Sequence, residues 1–211
     1  MEINRHRDNT NRRIGIMGGA FNPIHYGHLM IAENAREQFS LEQVLFVPTG
    51  RSPLKHKQQV TDKVHRCAMV NLAISDNPWF ALDKVEINSP EISYTFLTVE
   101  KLKEYFISSE LFFILGADSL FDFESWRSPE LILKNCSILA AYREHQRQEE
   151  FFEQIAYLNE KYPQKFCPLD TPNLEVSSQE IRQRVNEGRS IRYLVPEAVE
   201  TYIRDNKLYL D

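Results

Sequence analysis

Short apolar runs alternate along the chain with longer stretches whose apolar residues recur at helical spacing. The apolar runs predict strands at 13–17, 44–47, 79–87, 111–115 and 136–142. The longer stretches predict helices at 27–39, 62–74, 95–106, 145–162, 177–187 and 196–206. In the second of these helices, Val64, Ala68 and Leu72 align as the expected packed face. Strands that alternate with helices of about 10–15 residues indicate βαβ units and a parallel sheet.

This order of elements predicts an α/β fold: a Rossmann-like open parallel sheet with helices on both faces and a small C-terminal helical part. The length of 211 residues suits one domain. We expect that domain at 13–211, after a polar, arginine-rich and disordered N-terminal extension at 1–12. Ligands of such sheets bind beyond the carboxyl ends of the strands. The loops at 18–28 and 116–126 are therefore the expected place for chemistry.

Composition narrows the class of partner. The net charge is −5 and no basic stripe is visible, so we expect small-molecule ligands rather than nucleic acid. No apolar run approaches the roughly 20 residues of a membrane helix, so we expect no membrane contact. The three cysteines, Cys67, Cys136 and Cys167, are far apart and form no CxxC pair. This pattern is typical of a reduced, cytoplasmic protein without a zinc–thiolate site.

The loop after the first predicted strand holds the main candidate chemistry. It contains Gly18 and Gly19, followed by His25 and His28 at the start of a predicted helix. Glycines allow a sharp turn and a close ligand approach, and the N–H groups of a helix start attract anions. Histidines three residues apart can point to one side and donate hydrogen bonds to phosphoryl oxygens. The loop is therefore a candidate phosphate site.

Other interpretations of this loop remain open on local sequence alone. The glycines could form a plain tight turn, with the histidines in the core or at the surface. A zinc site would need three or four protein ligands, which neither an HExxH motif nor a nearby cysteine supplies. A Walker A loop and a GxGxxG fingerprint are both absent.

The whole string from Gly18 to His28, in its strand–loop–helix context, resembles the HxGH signature of the nucleotidyltransferase superfamily. It is most similar to the opening of the bacterial nicotinate-nucleotide adenylyltransferase family, and the resemblance runs from about Arg13 to the C-terminus. Further matches follow in order: Pro53-Leu54-Lys55-His56, Arg66, Ser93-Tyr94-Thr95, Gly116-Ala117-Asp118-Ser119 with Trp126, Ser177-Ser178 through Arg182, and Tyr193-Leu194-Val195-Pro196. Two positions depart from the usual pattern: Ala20, where a hydroxyl residue is common, and Gln179, where threonine is common.

The resemblance implies transfer of AMP from ATP to nicotinic acid mononucleotide, with Mg²⁺ bound mainly through the ATP phosphates. It implies catalytic roles for His25, His28 and Arg182, with Arg182 holding the β- and γ-phosphates. The ATP-binding residues implied are Gly18, Gly19, Ala20, Phe21, His25, His28, Gly116, Asp118, Ser177, Ser178 and Arg182. The residues implied to bind the mononucleotide are Asn22, Lys55, Tyr94, Thr95, Trp126 and Arg143. In that family Trp126 would stack on the nicotinate ring, and N–H groups near Tyr94 and Thr95 would hold its carboxylate.

Local sequence offers simpler roles for several of these residues. Ser177 could be a plain helix N-cap, Asp118 could cap the next short helix, and Trp126 could be a core residue. Lys55, His56 and Arg143 could each be a solvated surface charge.

Two other functions remain alternatives: a transferase with another acceptor, such as phosphopantetheine or a polyol phosphate, and a non-catalytic nucleotide-sensing module. The sequence leaves the oligomeric state open, a homo-oligomer included.

Overall fold

A computed structural model describes residues 11–51, 60–142 and 148–210. These residues form a six-stranded, fully parallel sheet in the order β3-β2-β1-β4-β5-β6. The strands are β1 (Arg13–Gly19), β2 (Gln43–Pro48), β3 (Phe80–Leu82), β4 (Glu110–Gly116), β5 (Ser137–Tyr142) and β6 (Phe166–Asp170). The helices are α1 (Tyr26–Gln38), α2 (Lys63–Ala73), α3 (Thr95–Tyr105), α4 (Ala117–Phe121), α5 (Pro129–Asn135), α6 (Gln148–Lys161), α7 (Ser178–Asn186) and α8 (Glu197–Asp205), with a 3₁₀ turn at Phe123–Ser125.

Side chains that alternate along the central strands divide the core into two layers. Ile14 and Ile16 of β1 pack with α3, α5 and α6, whereas Met17 packs on the opposite face with α1, α2, α7 and α8. Both layers are fully buried at their centres, so helices cover both faces of the sheet. The predicted α/β class, with its small C-terminal helical part, is confirmed.

Local signals place most helix ends correctly. Asp62 caps α2, with its side chain accepting from the N–H of Val64 at 2.8 Å. Gly188 follows α7 with φ +68, a left-handed conformation that favours glycine at a helix end.

Three expectations about local structure are wrong. The strand predicted at 79–87 shrinks to Phe80–Leu82, because Asp83 turns the chain by accepting from the N–H of Val85 at 2.7 Å. Strand β6 was not predicted: it contains Pro168, which the sheet tolerates because β6 lies at its edge. In α2, Val64 is 68% exposed, and the buried face consists of Arg66, Cys67, Met69, Val70 and Ala73.

The single domain expected at 13–211 stays a prediction, as does the extension at 1–12, most of which lies outside the described residues. Among the helices that the structure describes, none has the length and apolar character that a membrane crossing requires.

Candidate active site

A cleft of about 880 Å³ opens beyond the carboxyl ends of β1 and β4. Both predicted loops contribute to it, together with the start of α3 and the start of α7. The predicted site residues that line it are Gly18, Gly19, His25, His28, Tyr94, Thr95, Gly116, Trp126, Ser177 and Ser178. Its volume lies within the range of small-molecule sites in proteins. The topology thus gathers most of the candidate residues at one edge of the sheet.

His25 and His28 lie side by side at the start of α1. His25 is the N-cap residue and is buried, and the centroids of the two rings are 3.7 Å apart. The backbone N–H of His25 donates to Nδ1 of His28 at 3.3 Å. Because Nδ1 of His28 accepts, the neutral ring carries its proton on Nε2 and can donate there. The pair and the positive end of α1 together suit an anion.

The main chain between β1 and α1 is held through its carbonyl groups. The carbonyl of Ala20 accepts from Nη1 of Arg66 at 2.7 Å, and that of Asn22 accepts from Nη1 of Arg182 at 2.8 Å. The carbonyl of Pro23 accepts from the hydroxyl of Ser178 at 2.8 Å. Side chains from α2 and α7 therefore fix the loop that presents the histidines.

Arg66 is the buried centre of this support. It is 3% exposed, and its guanidinium also donates to the carbonyls of Thr49 at 2.7 Å and Thr61 at 3.0 Å. Burial is the main cause that lowers its pKa below the ordinary arginine value. The sequence analysis named Arg66 only as a family match, because no local sequence pattern shows that an arginine in a helix points towards the core.

The start of α7 has both a capping role and a place in the cleft. The hydroxyl of Ser177 accepts from the N–H of Glu180 at 3.1 Å, so the plain N-cap interpretation is correct for this side chain. Arg182 is half-buried and contacts the histidine loop through Asn22. One donor of its five is used in this contact, and a guanidinium fork remains suited to phosphate oxygens.

The loop after β4 differs from expectation in one detail. Gly116 is the N-cap of α4, so Asp118 lies in the first turn and is not the capping residue. Asp118 is exposed and lies outside the lining of the cleft, whereas Ser119 and Asp122 line it. The sequence analysis named Ser119 only as part of the family match and did not name Asp122, although both belong to the same loop.

Trp126 is both a core residue and a cleft residue. Its ring contacts Phe113 edge-on, with centroids 6.1 Å apart, and Phe123 at 5.5 Å. It is half-buried and lines the cleft, so part of the indole remains accessible to a ligand. The packing against two phenylalanines fixes the ring as a stacking surface.

The start of α3 forms the facing wall. Tyr94 is its N-cap, and the N–H of Tyr94 donates to the carbonyl of Ile92 at 3.1 Å. The N–H groups of Thr95 and Phe96 begin the helix and have no partner within it, whereas that of Leu97 donates to the carbonyl of Tyr94 at 3.0 Å. The N–H groups at this wall that can face an anion are therefore those of Thr95 and Phe96 rather than that of Tyr94, whose ring lies under Arg127 at 4.6 Å.

Glu86 is a half-buried carboxylate of the cleft that the sequence did not reveal. It accepts from the hydroxyl of Thr98 at 2.7 Å, from the N–H of Gly50 at 3.3 Å, and from the Ser93 side chain. Burial raises its pKa above the ordinary value, although these hydrogen bonds oppose the rise. A Cβ at position 50 would lie 2.3 Å from the carbonyl oxygen of Glu86, so this junction requires glycine.

Like Asp118, the other predicted site residues that the structure describes lie outside the lining of the cleft: Ala20, Phe21, Asn22 and Arg182. Lys55 and Arg143, like His56, lie outside the described residues. Asn22 is 4% exposed, and its Oδ1 accepts from the N–H of Thr61 at 3.3 Å and from the hydroxyl of Tyr209 at 3.1 Å. Any contact of its side chain with a substrate would therefore involve the amide nitrogen.

Comparisons with known proteins identify the family of the chain. The cytidylyltransferase-like family matches residues 16–184. A probable nicotinate-nucleotide adenylyltransferase of Lachnoclostridium phytofermentans is 44% identical over 94% of this chain and 100% of its own length. The corresponding protein of Thermoanaerobacter sp. (strain X514) is 42% identical over 93% of this chain and 94% of its own length.

Solved structures support the fold. The nicotinic acid mononucleotide adenylyltransferase of Plasmodium falciparum complexed with APC superposes with a TM-score of 0.74 at 23% identity, covering 94% of this chain and 98% of that one. The same enzyme complexed with NaAD gives a TM-score of 0.75 at 21% identity with the same coverage. By sequence and by fold, the chain belongs to the nicotinate-nucleotide adenylyltransferase family.

Proposed function

We propose that the chain transfers AMP from ATP to nicotinic acid mononucleotide, giving nicotinic acid adenine dinucleotide and pyrophosphate. The observation that carries this proposal is the composition of the cleft. One end presents two imidazoles and two helix N-termini, which suit phosphates, and the other presents an indole and the first turn of α3, which suit an aromatic carboxylate.

At the phosphate end, the protein binds the phosphates and stabilises the negative charge that develops on them. The nucleophile is a phosphate oxygen that is already anionic, so the reaction requires no general base. His28 Nε2–H and His25 donate to the α-phosphate and to the oxygen that bridges to pyrophosphate, where negative charge develops. The hydroxyl hydrogen of Ser177, the main-chain N–H of Ser178 at the start of α7 and the Arg182 fork hold the leaving phosphates.

Main-chain groups complete the proposed ATP site. Gly18, Gly19, Ala20 and Phe21 bring the backbone close to the nucleotide, and Gly116 leaves room beside the ribose. Asp118 would have to reach the ribose hydroxyl from its exposed position, and Ser119 or Asp122 is better placed in the cleft.

At the mononucleotide end, Trp126 stacks on the pyridine ring and the N–H groups of Thr95 and Phe96 bind its carboxylate. Phe113 and Phe123 keep the indole in place, which lowers the entropy cost of stacking. The family resemblance adds Lys55 and Arg143 to this end, although both lie outside the described residues. Asn22 acts instead through the loop of the phosphate end, where its carbonyl accepts from Arg182.

Mg²⁺ fits this site as an ion carried by the triphosphate. Hydroxyls, imidazoles and backbone N–H groups line the phosphate end, and Mg²⁺ prefers phosphate and water oxygens to an all-protein cage. The ion would neutralise part of the phosphate charge. The three free cysteines, of which Cys67 and Cys136 are buried, suit the reduced cytoplasmic setting that we propose for the enzyme.

Pyrophosphate release tests the proposal. Purified protein is mixed with ATP, Mg²⁺ and nicotinic acid mononucleotide, and parallel reactions contain nicotinamide mononucleotide, phosphopantetheine or a polyol phosphate. We expect rapid release with the acid mononucleotide and little with the others. Faster turnover of phosphopantetheine or a polyol phosphate would reassign the acceptor, and ATP binding without any turnover would indicate a sensing module.

A further inference from the structure

Tyr209 lies behind the loop that carries the two histidines, although 187 residues separate it from Asn22 in the sequence. Its hydroxyl donates to Oδ1 of Asn22 at 3.1 Å. The N–H of Thr61 donates to the same oxygen at 3.3 Å, and the Thr61 side chain hydrogen-bonds the phenol. The three residues therefore form a closed ring of hydrogen bonds.

Asn22 is the point through which this ring reaches the active site. It is 4% exposed and follows Phe21, whose φ of +47 lies in the left-handed region that non-glycine residues avoid. Its carbonyl accepts from Arg182, and His25 follows three residues later. The left-handed backbone of Phe21 persists only where neighbouring groups hold it in place. The orientation of His25 and Arg182 thus depends on what fixes Asn22.

The backbone of the segment that carries Tyr209 has a defined conformation. Lys207 and Tyr209 have φ values of 50 and 64, and the N–H of Leu208 donates to the carbonyl of Ile203 at 3.0 Å. Burial raises the pKa of the Tyr209 phenol to about 12, so the group stays a neutral donor at physiological pH. The segment after α8 therefore presents a fixed hydroxyl to the loop.

We propose that Tyr209 is a positioning residue of the adenylyl-transfer site, which acts through Asn22 on the loop that bears His25 and on Arg182. The inference rests on the proposed function, because these two residues must act on ATP. Tyr209 lies outside the lining of the cleft, so it influences the reaction without touching substrate. The effect falls on kcat and on KM for ATP, whereas KM for the mononucleotide stays unchanged, since α3 and Trp126 form that end.

Two tyrosine-to-phenylalanine variants test the proposal. Tyr209→Phe removes the bond to Asn22. Tyr202→Phe is the matched control. It removes the hydrogen bond of 3.0 Å between the Tyr202 hydroxyl on α8 and Nδ1 of His65 on α2, and it leaves the contacts of Asn22 intact. We expect Tyr209→Phe to lower kcat/KM for ATP about tenfold or more, the scale of a small misplacement of catalytic groups. Tyr202→Phe should leave kcat/KM unchanged at a similar cost in Tm. Equal activity losses in the two variants, or full activity in Tyr209→Phe, would overturn the proposal.

A double-mutant cycle tests the route. In an Asn22→Ala background, Tyr209→Phe should cause no further loss of kcat/KM, whereas independent, multiplicative losses would overturn the route through Asn22. If Asn22→Ala does not fold, Asn22→Asp serves instead: it keeps the acceptor, so Tyr209→Phe should retain its effect there, and loss of that effect would count against the route.

Amide hydrogen exchange of residues 20–25 in the ligand-free proteins separates this inference from the proposed function. Exchange should rise in Tyr209→Phe and not in Tyr202→Phe, whatever the wild type turns over. Unchanged exchange would reject the positioning role even in an active enzyme. An inactive wild type with raised exchange in Tyr209→Phe would reject the function alone.

Discussion

Arg66→Lys separates the charge of this residue from its planar fork. The guanidinium donates to the carbonyls of Ala20, Thr49 and Thr61 at 2.7–3.0 Å, and it is 3% exposed. A lysine keeps the charge, but its single nitrogen cannot replace Nε, Nη1 and Nη2, each of which donates to a different carbonyl along the edge of the planar guanidinium. The variant therefore leaves about two buried carbonyls without their donor.

The structure sets the size of the effect. Each lost hydrogen bond to a charged group contributes about 1.5–3 kcal/mol, so two predict a loss of about 3 kcal/mol even at the lower limit. For a chain of this length, that corresponds to a fall in Tm of about 6–12 °C. Because the Ala20 carbonyl belongs to the histidine loop, kcat should fall as well, by roughly tenfold.

The assay combines urea unfolding, thermal unfolding and turnover. Arg184→Lys is the matched control, since Arg184 bonds Glu180 on the surface of α7 and such i,i+4 pairs contribute about 0.3–0.5 kcal/mol. We expect its Tm to remain within about 2 °C of wild type. A Tm for Arg66→Lys as close to wild type as that of the control, with full turnover, would refute the argument that the fork supports the loop.

Further outcomes are expected in turnover, in substrate choice and in stability at high pH. His28→Ala should lower kcat by a factor on the order of 10²–10³ with a smaller effect on ATP binding, and a folded variant with wild-type turnover would remove His28 from catalysis. Arg182→Ala should raise KM for ATP while KM for the mononucleotide stays nearly constant, and Arg182→Lys should restore it only in part; a change confined to the mononucleotide would contradict this. The wild type should prefer the acid over the amide mononucleotide by roughly a hundredfold or more in kcat/KM, because the amide NH₂ would face N–H donors. Trp126→Ala should weaken both substrates together, so a change in their ratio would exclude simple stacking. The free energy of unfolding of the wild type should fall by up to about 2–3 kcal/mol as the pH rises from 10 towards 12. In this range Tyr209 ionises in the unfolded chain but stays neutral in the folded protein, because burial raises its pKa to about 12. Urea unfolding at pH 8 and pH 11 should show about half of this loss, about 1.4 kcal/mol, in the wild type and a smaller one in Tyr209→Phe. Equal losses in the two proteins would assign the effect to other groups.

Local sequence predicted the elements whose causes are local. Buried parallel strands appear as apolar runs, and helix ends follow caps such as Asp62 and Gly188. The strand–loop–helix around His25 and His28 was predicted for the same reason, because glycines and a helix start within a few residues define an anion site. Strand β6 contains Pro168 and lacks a continuous apolar run, so only the structure shows that it forms an edge of the sheet.

The sequence by itself determined the α/β class and placed His25 and His28 beyond the end of a parallel strand. Its resemblance to the family added Ser177 and Ser178 to the expected site. Only the tertiary structure decided which polar groups support them: the buried guanidinium of Arg66, the carboxylate of Glu86 and the hydroxyl of Tyr209. The physical reason is the range of the interactions. Periodicity and capping act over a few residues, whereas these groups find their partners only after the packing of helices on the sheet has brought distant segments together and excluded water from them.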